Sequence, residues 1–283
     1  MSQGVKKVGF IGLGDLGLPM AKNIITRGYS VTVCGHRRRE PIDEMKQLGA
    51  KEVSTPKEVA KYSEVVFTCL RDDDDTGRVV FGSNGIMEGI SEGSAIILLS
   101  TLTPDFCIKV AEEARAKGTM VLDAPVIGRS LKSAITGEGL SILVGGEEEV
   151  VEKYRPMLET MGEIVYCGGL GRGQLAKLAD NMAGITMGAM LVEAVAWGLR
   201  NGLDEDKIIE VMRRGSSRGW ALENWKYVRK AWSNPRPTPS LGAKDISYAL
   251  KLGLEVGASC PIAAAACEVH KAAQPKLPIG PKK

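Results

Sequence analysis

A glycine-rich turn near the start of the chain, set between an apolar run and a helical pattern, limits the possible folds more than any other feature. Residues 5–11 are apolar and β-branched like a short buried strand, and residues 16–27 repeat apolar side chains at helical spacing. Between them lies Gly12-Leu13-Gly14-Asp15-Leu16-Gly17. With 34 glycines in 283 residues, a G-x-G-x-x-G match by itself carries little weight. Placed after a strand and before a helix, each glycine acquires a task. Gly12 permits the tight turn, Gly14 lets backbone approach a pyrophosphate, and Gly17 lets helix and strand pack closely. The first N–H groups of the helix then face the phosphates of a dinucleotide. The competing reading is a plain strand–turn–helix corner.

The rest of the first half keeps the same alternation. Strands are expected at residues 30–34, 64–70, 94–99 and 119–123, with helices at 41–48 and 106–117. Residues 140–144 and 164–167 extend the sheet. The implied fold class is α/β: an N-terminal Rossmann, doubly wound sheet joined by a long helix to an all-α C-terminal domain. After Gly173 strand-like runs disappear. Residues 174–200, helical throughout, would span ~40 Å at ~1.5 Å per residue, and a helix apolar on most faces must be buried between domains or subunits. Shorter helices follow at 204–213, 221–231, 243–256 and 260–273, and Pro235, Pro237 and Pro239 make residues 233–240 a loop. The expected domains are residues 1–168 for dinucleotide binding and 169–283 for substrate and oligomerisation.

Composition removes several classes of function. The net charge of +3 is small for this length and aromatics are 5% of residues, so there is no basic, aromatic-laced stripe for nucleic acid. Residues 182–199 are apolar, but they carry Glu193 and fall short of the ~20 residues a membrane span needs. The start of the chain is polar and lacks a signal-peptide pattern. Six cysteines (Cys34, Cys69, Cys107, Cys167, Cys260 and Cys267) form no Cys-x-x-Cys pair and no zinc spacing, which suits reduced thiols in a cytoplasmic protein. No metal site is expected; the run Asp72–Asp75 reads as a solvated helix start.

Two segments carry the chemistry. The second strand ends in Cys34-Gly35-His36-Arg37-Arg38-Arg39, with glycine where an NAD-selective site presents an acid to the ribose hydroxyls. His36, Arg37 and Arg38 would pair with a 2′-phosphate, so NADP (NADPH) is favoured over NAD; a solvated basic turn is the alternative. Leu70 and Arg71, after the 64–70 strand, are expected beside the same cofactor. The chain has only two histidines, His36 and His270, and neither is placed as a general base. In Gly171-Arg172-Gly173-Gln174-Leu175-Ala176-Lys177-Leu178-Ala179-Asp180-Asn181, Lys177 and Asn181 share a helix face four residues apart. By spacing alone Lys177 is either a partly desolvated acid–base group or an ordinary surface lysine.

The opening Val8-Gly9-Phe10-Ile11-Gly12-Leu13-Gly14 through Pro19-Met20-Ala21 resembles the 3-hydroxyisobutyrate dehydrogenase (β-hydroxyacid dehydrogenase) family. So do Ser100-Thr101-Leu102-Thr103-Pro104, Asp123-Ala124-Pro125-Val126, the Gly171–Asn181 segment and Lys244-Asp245. The resemblance implies a homodimer or homotetramer acting on a small anionic hydroxy acid or aldehyde acid. It implies Lys177 as the catalytic lysine and Asn181 as the asparagine that holds lysine and substrate. Thr101 would lie beside the nicotinamide, and Lys244 would serve cofactor and substrate. The substrate segment departs from the family pattern: it reads Val126-Ile127-Gly128-Arg129, where Ile127 removes a hydroxyl and Arg129 adds a planar cation suited to an oxyanion. A sulfolactaldehyde-reductase-like branch carries a similar Gly-Arg pair, so reduction of a sulfo-aldehyde, succinic semialdehyde or glyoxylate, with Arg129 as anion anchor, is the alternative expectation. A dinucleotide-binding protein without turnover is the third.

Overall fold

The computed structural model describes residues 5–35, 38–128, 131–233 and 241–271. His36, Arg37, Arg129, the proline-rich loop and the basic C-terminal stretch therefore lie outside the described residues.

Two compact units divide the chain, Met1–Lys177 and Leu178–Lys283. The first opens with β1 (Lys7–Ile11), α1 (Gly17–Thr26), β2 (Ser30–Cys34), α2 (Glu40–Gln47), β3 (Lys51–Val53), α3 (Pro56–Lys61) and β4 (Val65–Thr68). It continues through α4 (Asp73–Phe81), α5 (Ile86–Gly89), β5 (Ala95–Leu98), α6 (Pro104–Arg115), β6 (Met120–Asp123) and β7 (Val126–Gly128). Then come α7 (Leu131–Thr136), β8 (Leu140–Gly145), α8 (Glu148–Leu158) and β9 (Glu163–Gly168). The helix α9 (Arg172–Arg200) begins in this unit.

Among the described residues nine strands form one sheet, ordered β3-β2-β1-β4-β5-β6-β8-β7, with β9 paired to β8. The first six are parallel, and the sheet turns antiparallel only where β8 meets β6 and β7. Strand order reverses between β1 and β4, the switch point where open α/β sheets bind ligands. Alternating side chains give the sheet two buried faces. Phe10, Phe67 and Ile97 pack with Met20, Ile24, Met45 and Tyr154 from α1, α2 and α8. Val66, Ile96 and Leu98 pack with Val59, Val80, Ile86 and Val110 from α3 to α6. Each such side chain removed from water contributes about 1.5–3 kcal/mol.

The second unit contains α10 (Glu205–Arg214), α11 (Trp220–Glu223), α12 (Trp225–Ser233), α13 (Leu241–Glu255) and α14 (Pro261–Lys271). Its core gathers Val192 and Val195 of α9 with Ile209, Trp225, Trp232, Ile246 and Cys267. The single helix expected over 221–231 is broken at Asn224, whose side-chain amide donates to the Trp220 carbonyl. The burial expected for α9 is only partly met within the chain. By length and composition it could cross a membrane, yet a third of its most apolar stretch is buried, and Met187, Met190 and Trp197 remain exposed.

Candidate active site

Register sets the strand ends of the first unit side by side. Ile11 pairs with Thr68, Thr68 with Leu98, and Leu98 with Asp123, so β1, β4, β5 and β6 finish in one row. The segments that leave this row carry Gly12–Gly17, Leu70 and Arg71, Thr101, and the short strand Val126–Gly128. Sequence positions spread over more than a hundred residues thus share one edge of the sheet.

The glycine turn has the shape a dinucleotide needs. Gly12 has φ +101, and a Cβ there would meet the Cys69 carbonyl oxygen at 2.2 Å. A Cβ at Gly17 would lie 1.9 Å from the Gly12 carbonyl oxygen and 3.2 Å from the Phe10 ring. A Cβ at Gly14 would meet nothing within 4 Å, so this is the side left open for phosphate. The N-cap of α1 is Leu16, which has no side chain to satisfy the first N–H groups. These residues fit a nicotinamide dinucleotide, with its pyrophosphate against Gly14 and the start of α1. Leu13 is half-buried against the core, Asp15 and Leu16 are exposed, and Leu70 packs 3.1 Å from the Gly12 Cβ position. Arg71 is exposed and pairs with Asp72 at 3.6 Å.

The basic turn after β2 is split in use. Arg38 reaches Asp15 of the glycine turn at 3.8 Å. Arg39 is committed elsewhere: Nε donates to Asp43 at 2.8 Å and the guanidinium is bidentate to Glu52. Lys46 pairs with the same carboxylate at 3.1 Å. Arg39 first, then Lys46, hold Glu52 down at about 2, so it remains an ion across the working range. Gly35, Arg38, Arg39, Ile42 and Glu52 line a shallow open hollow at the end of β2.

The lysine-bearing start of α9 is fixed by buried hydrogen bonds. Asp123, fully buried at the end of β6, accepts from Gly171 N at 2.6 Å and Gln174 N at 2.8 Å. Burial pushes its carboxyl above the usual range, opposed by N–H groups of Gly171, Gln174, Asp123 itself and Gly173. The buried Gln174 side chain accepts from Leu102 N and donates to the Ser100 carbonyl, each at 2.9 Å. Lys177 follows, half-buried, and Asn181 lies one turn further along the same helix. Val126 is buried and Ile127 half-buried; β7, which holds both, pairs with β8 rather than forming a free substrate loop.

Within the second unit, Asp245 gathers two expected site residues. It accepts from Asn181 Nδ2 at 2.7 Å and pairs with Lys244 Nζ at 2.9 Å. Lys244 also sits 4.9 Å from the centre of the Tyr248 ring. Asp73 corrects the reading of the acidic run as merely solvated: it accepts from Thr103 N at 3.1 Å and Thr103 Oγ1 at 2.6 Å. Asp72 caps α4 through Asp75 N. Among the described residues no group of three or more His, Cys, Asp or Glu could hold a metal ion. Ser100, Gln174 and Asp245 stand inside the motifs that carry the family resemblance and Asp73 inside the acidic run, but the sequence alone gives none of them these hydrogen-bond partners.

The strand order, the glycine cradle and the lysine-bearing helix define a nicotinamide-dependent dehydrogenase or reductase. Residues 7–169 match the family profile described as the NAD binding domain of 6-phosphogluconate dehydrogenase. Residues 171–279 match that described as NAD-binding of NADP-dependent 3-hydroxyisobutyrate dehydrogenase. The chain is 34% identical over 274 residues to the chloroplastic glyoxylate/succinic semialdehyde reductase 2 of Arabidopsis thaliana, covering 96% of this chain and 75% of the relative. It is 33% identical over 270 residues to the 3-sulfolactaldehyde reductase of Escherichia coli, covering 94% and 90%. A solved 3-hydroxyisobutyrate dehydrogenase from Salmonella typhimurium has the same fold, with TM-score 0.84 and 22% identity over 94% of this chain and 93% of that one. The chain belongs to the 3-hydroxyisobutyrate dehydrogenase-like β-hydroxyacid dehydrogenase family and is an NAD(P)-dependent hydroxyacid dehydrogenase or reductase.

Proposed function

We propose that this protein is an NADP-preferring oxidoreductase acting on a small 3-hydroxy acid or the matching aldehyde acid. The observation that carries the reading is Lys177, held half-buried on a helix start that is hydrogen-bonded to the loop after β5 and to the end of β6. When bound, the nicotinamide supplies or accepts the hydride. Lys177 donates a proton to the carbonyl oxygen in reduction and takes the hydroxyl proton in oxidation. Asn181 orients the lysine and the substrate: with Nδ2 donated to Asp245, its Oδ1 remains the amide's acceptor. Thr101 serves the nicotinamide side and the Val126–Gly128 segment the acid end of the substrate; Lys244 is the further residue that the family resemblance implies for cofactor and substrate. Arg129, outside the described residues, is the anion anchor the sequence suggests.

The preference for NADP is supported by charge at the end of β2. Gly35 offers no carboxylate there, and the acid lining the hollow, Glu52, is covered by Arg39 and Lys46. Arg38, 59% exposed, keeps its guanidinium available to a 2′-phosphate at the cost of only a long pairing with Asp15. His36 and Arg37 complete this proposed subsite from outside the described residues. The relatives' names, a glyoxylate/succinic semialdehyde reductase and a 3-sulfolactaldehyde reductase, share one chemistry: an aldehyde on a small anion. A homo-oligomer belongs to the reading as well, because Met187, Met190 and Trp197 lie on one exposed stripe of α9 at spacings of three and seven.

The test is an absorbance assay of NADPH oxidation against small aldehyde acids, with the reverse assay on hydroxy acids, repeated with NADH and NAD. Turnover with at least one substrate, faster with the phosphorylated cofactor, is expected. Tight NADPH binding with no turnover on the whole panel would replace the reading with a non-catalytic dinucleotide binder.

A further inference from the structure

We infer that Gln174 is a positioning residue that joins the Thr101 loop and the Lys177 turn of α9 into one rigid piece. This rests on the roles proposed above for Thr101 and Lys177. The Gln174 side chain is completely buried and uses both ends of its carboxamide on the same short segment. Oε1 accepts from Leu102 N at 2.9 Å and Nε2 donates to the Ser100 carbonyl at 2.9 Å. Those two bonds straddle Thr101. The backbone N–H of the same residue donates to Asp123 Oδ2 at 2.8 Å. One residue thereby ties α9 to the loop after β5 and to the end of β6.

The surroundings of this clamp leave it little freedom. A Cβ at Gly173 would meet the Leu143 carbonyl oxygen at 2.2 Å and Asp123 Oδ2 at 2.7 Å, and one at Gly145 would meet Asp123 Oδ1 at 2.4 Å. The loop is gripped from its other side too: Leu70 N donates to Ser100 Oγ at 2.7 Å, and Asp73 takes both donors of Thr103. Lys177 lies three residues beyond Gln174, about 4.5 Å along the axis and less than one turn. A slip of the first turn of α9 therefore moves the lysine with it. Misplacing a reacting group by about 1 Å is enough to lower a rate by ~10²-fold. The glycine cradle at Gly12–Gly17 shares no hydrogen bond with Gln174, so the pyrophosphate end of the cofactor should keep its seat when the clamp is lost, while Thr101 on the nicotinamide side moves with it.

The test compares wild type with Gln174→Met, which keeps length and apolar volume but removes both polar atoms, and Gln174→Asn, whose amide is too short to bridge Ser100 and Leu102. Hydrogen exchange read by mass spectrometry should show residues 99–103 and 171–177 losing protection together in both variants, with the β1–β4 strands unchanged. With whichever substrate wild type turns over, kcat should fall ~10–100-fold while the NADPH Kd rises by a much smaller factor, because only the Thr101 contact to the cofactor is loosened, and substrate KM changes little. If Gln174→Met does not fold, Gln174→Asn carries the same readouts. Wild-type protection of both segments in a folded variant overturns the clamp, and so does an unchanged kcat. A wild type without turnover on any substrate would sink the catalytic reading separately, because hydrogen exchange still reports on the clamp.

Discussion

Adding a single methyl group at Gly14 or at Gly17 separates what the glycine turn does for the fold from what it does for the cofactor. At Gly17 the new Cβ would sit 1.9 Å from the Gly12 carbonyl oxygen, which is backbone and cannot rotate away. Overpacking of this kind costs about 1–3 kcal/mol, and in a unit of this size that is about 2–4 °C of melting temperature per kcal/mol. At Gly14 the same methyl group meets nothing within 4 Å. Gly14→Ala should therefore be within about 0.5 kcal/mol of wild type in stability. Its methyl would occupy the space through which a pyrophosphate approaches. Losing one charge-assisted bond to phosphate is worth about 1.5–3 kcal/mol, so the NADPH Kd should rise ~10–150-fold. Thermal melts without cofactor and fluorescence titration with NADPH read the two effects. The reasoning fails if Gly14→Ala binds NADPH like wild type, or if Gly17→Ala melts with wild type.

Arg129→Ala should raise the substrate KM at least ~10-fold and leave NADPH affinity unchanged, in keeping with a lost charged contact; an unchanged KM in steady-state kinetics would remove Arg129 from the substrate's acid end. Thiol labelling tests the half-buried Cys34 and Cys69 and the buried Cys107. Burial pushes Cys34 to about 11 and Cys69 to about 12, from an ordinary 9.0, and lifts Cys107 as well. At pH 8 the thiolate fractions of Cys34 and Cys69 should be lower ~100-fold and ~1000-fold than in the unfolded chain, with alkylation slowed at least as much. Because the folded-state values lie above the unfolded one, the stability these thiols contribute is complete below pH 9 and is lost as pH rises from 9 towards 12. Rapid iodoacetamide modification of Cys69 in native protein at pH 8, located by peptide mapping, would contradict its placement.

The sequence made the frame legible and left most of the joints obscure. Residues 30–34 were delimited as β2 without error, and Gly12 does adopt the positive φ its position called for. Both signals are local: an apolar run bounded by turns, and a backbone shape open to glycine. β3 has no sequence signal because Lys51–Val53 is a three-residue edge strand with no apolar alternation. The strand character of β7 is not legible in the sequence because its pairing, Val126 with Ile142 and Gly128 with Leu140, depends on a strand further along the chain. Asp123 stood inside a quoted motif, but its partners Gly171 and Gln174 lie about fifty residues away and only the fold brings them near. Gln174 lies inside the Gly171–Asn181 motif, yet its task is hidden there, since a buried carboxamide in a first helical turn is recognisable only by what it reaches.

The most direct test of the central claim is kcat for Lys177→Met, measured beside NADPH affinity for the same variant. A proton donor removed from a helix that is otherwise intact should lower kcat by ~10²–10⁴-fold, with the NADPH Kd unchanged. A variant that turns over at the wild-type rate would show that the proton comes from another group, and Lys177 would lose the role given to it.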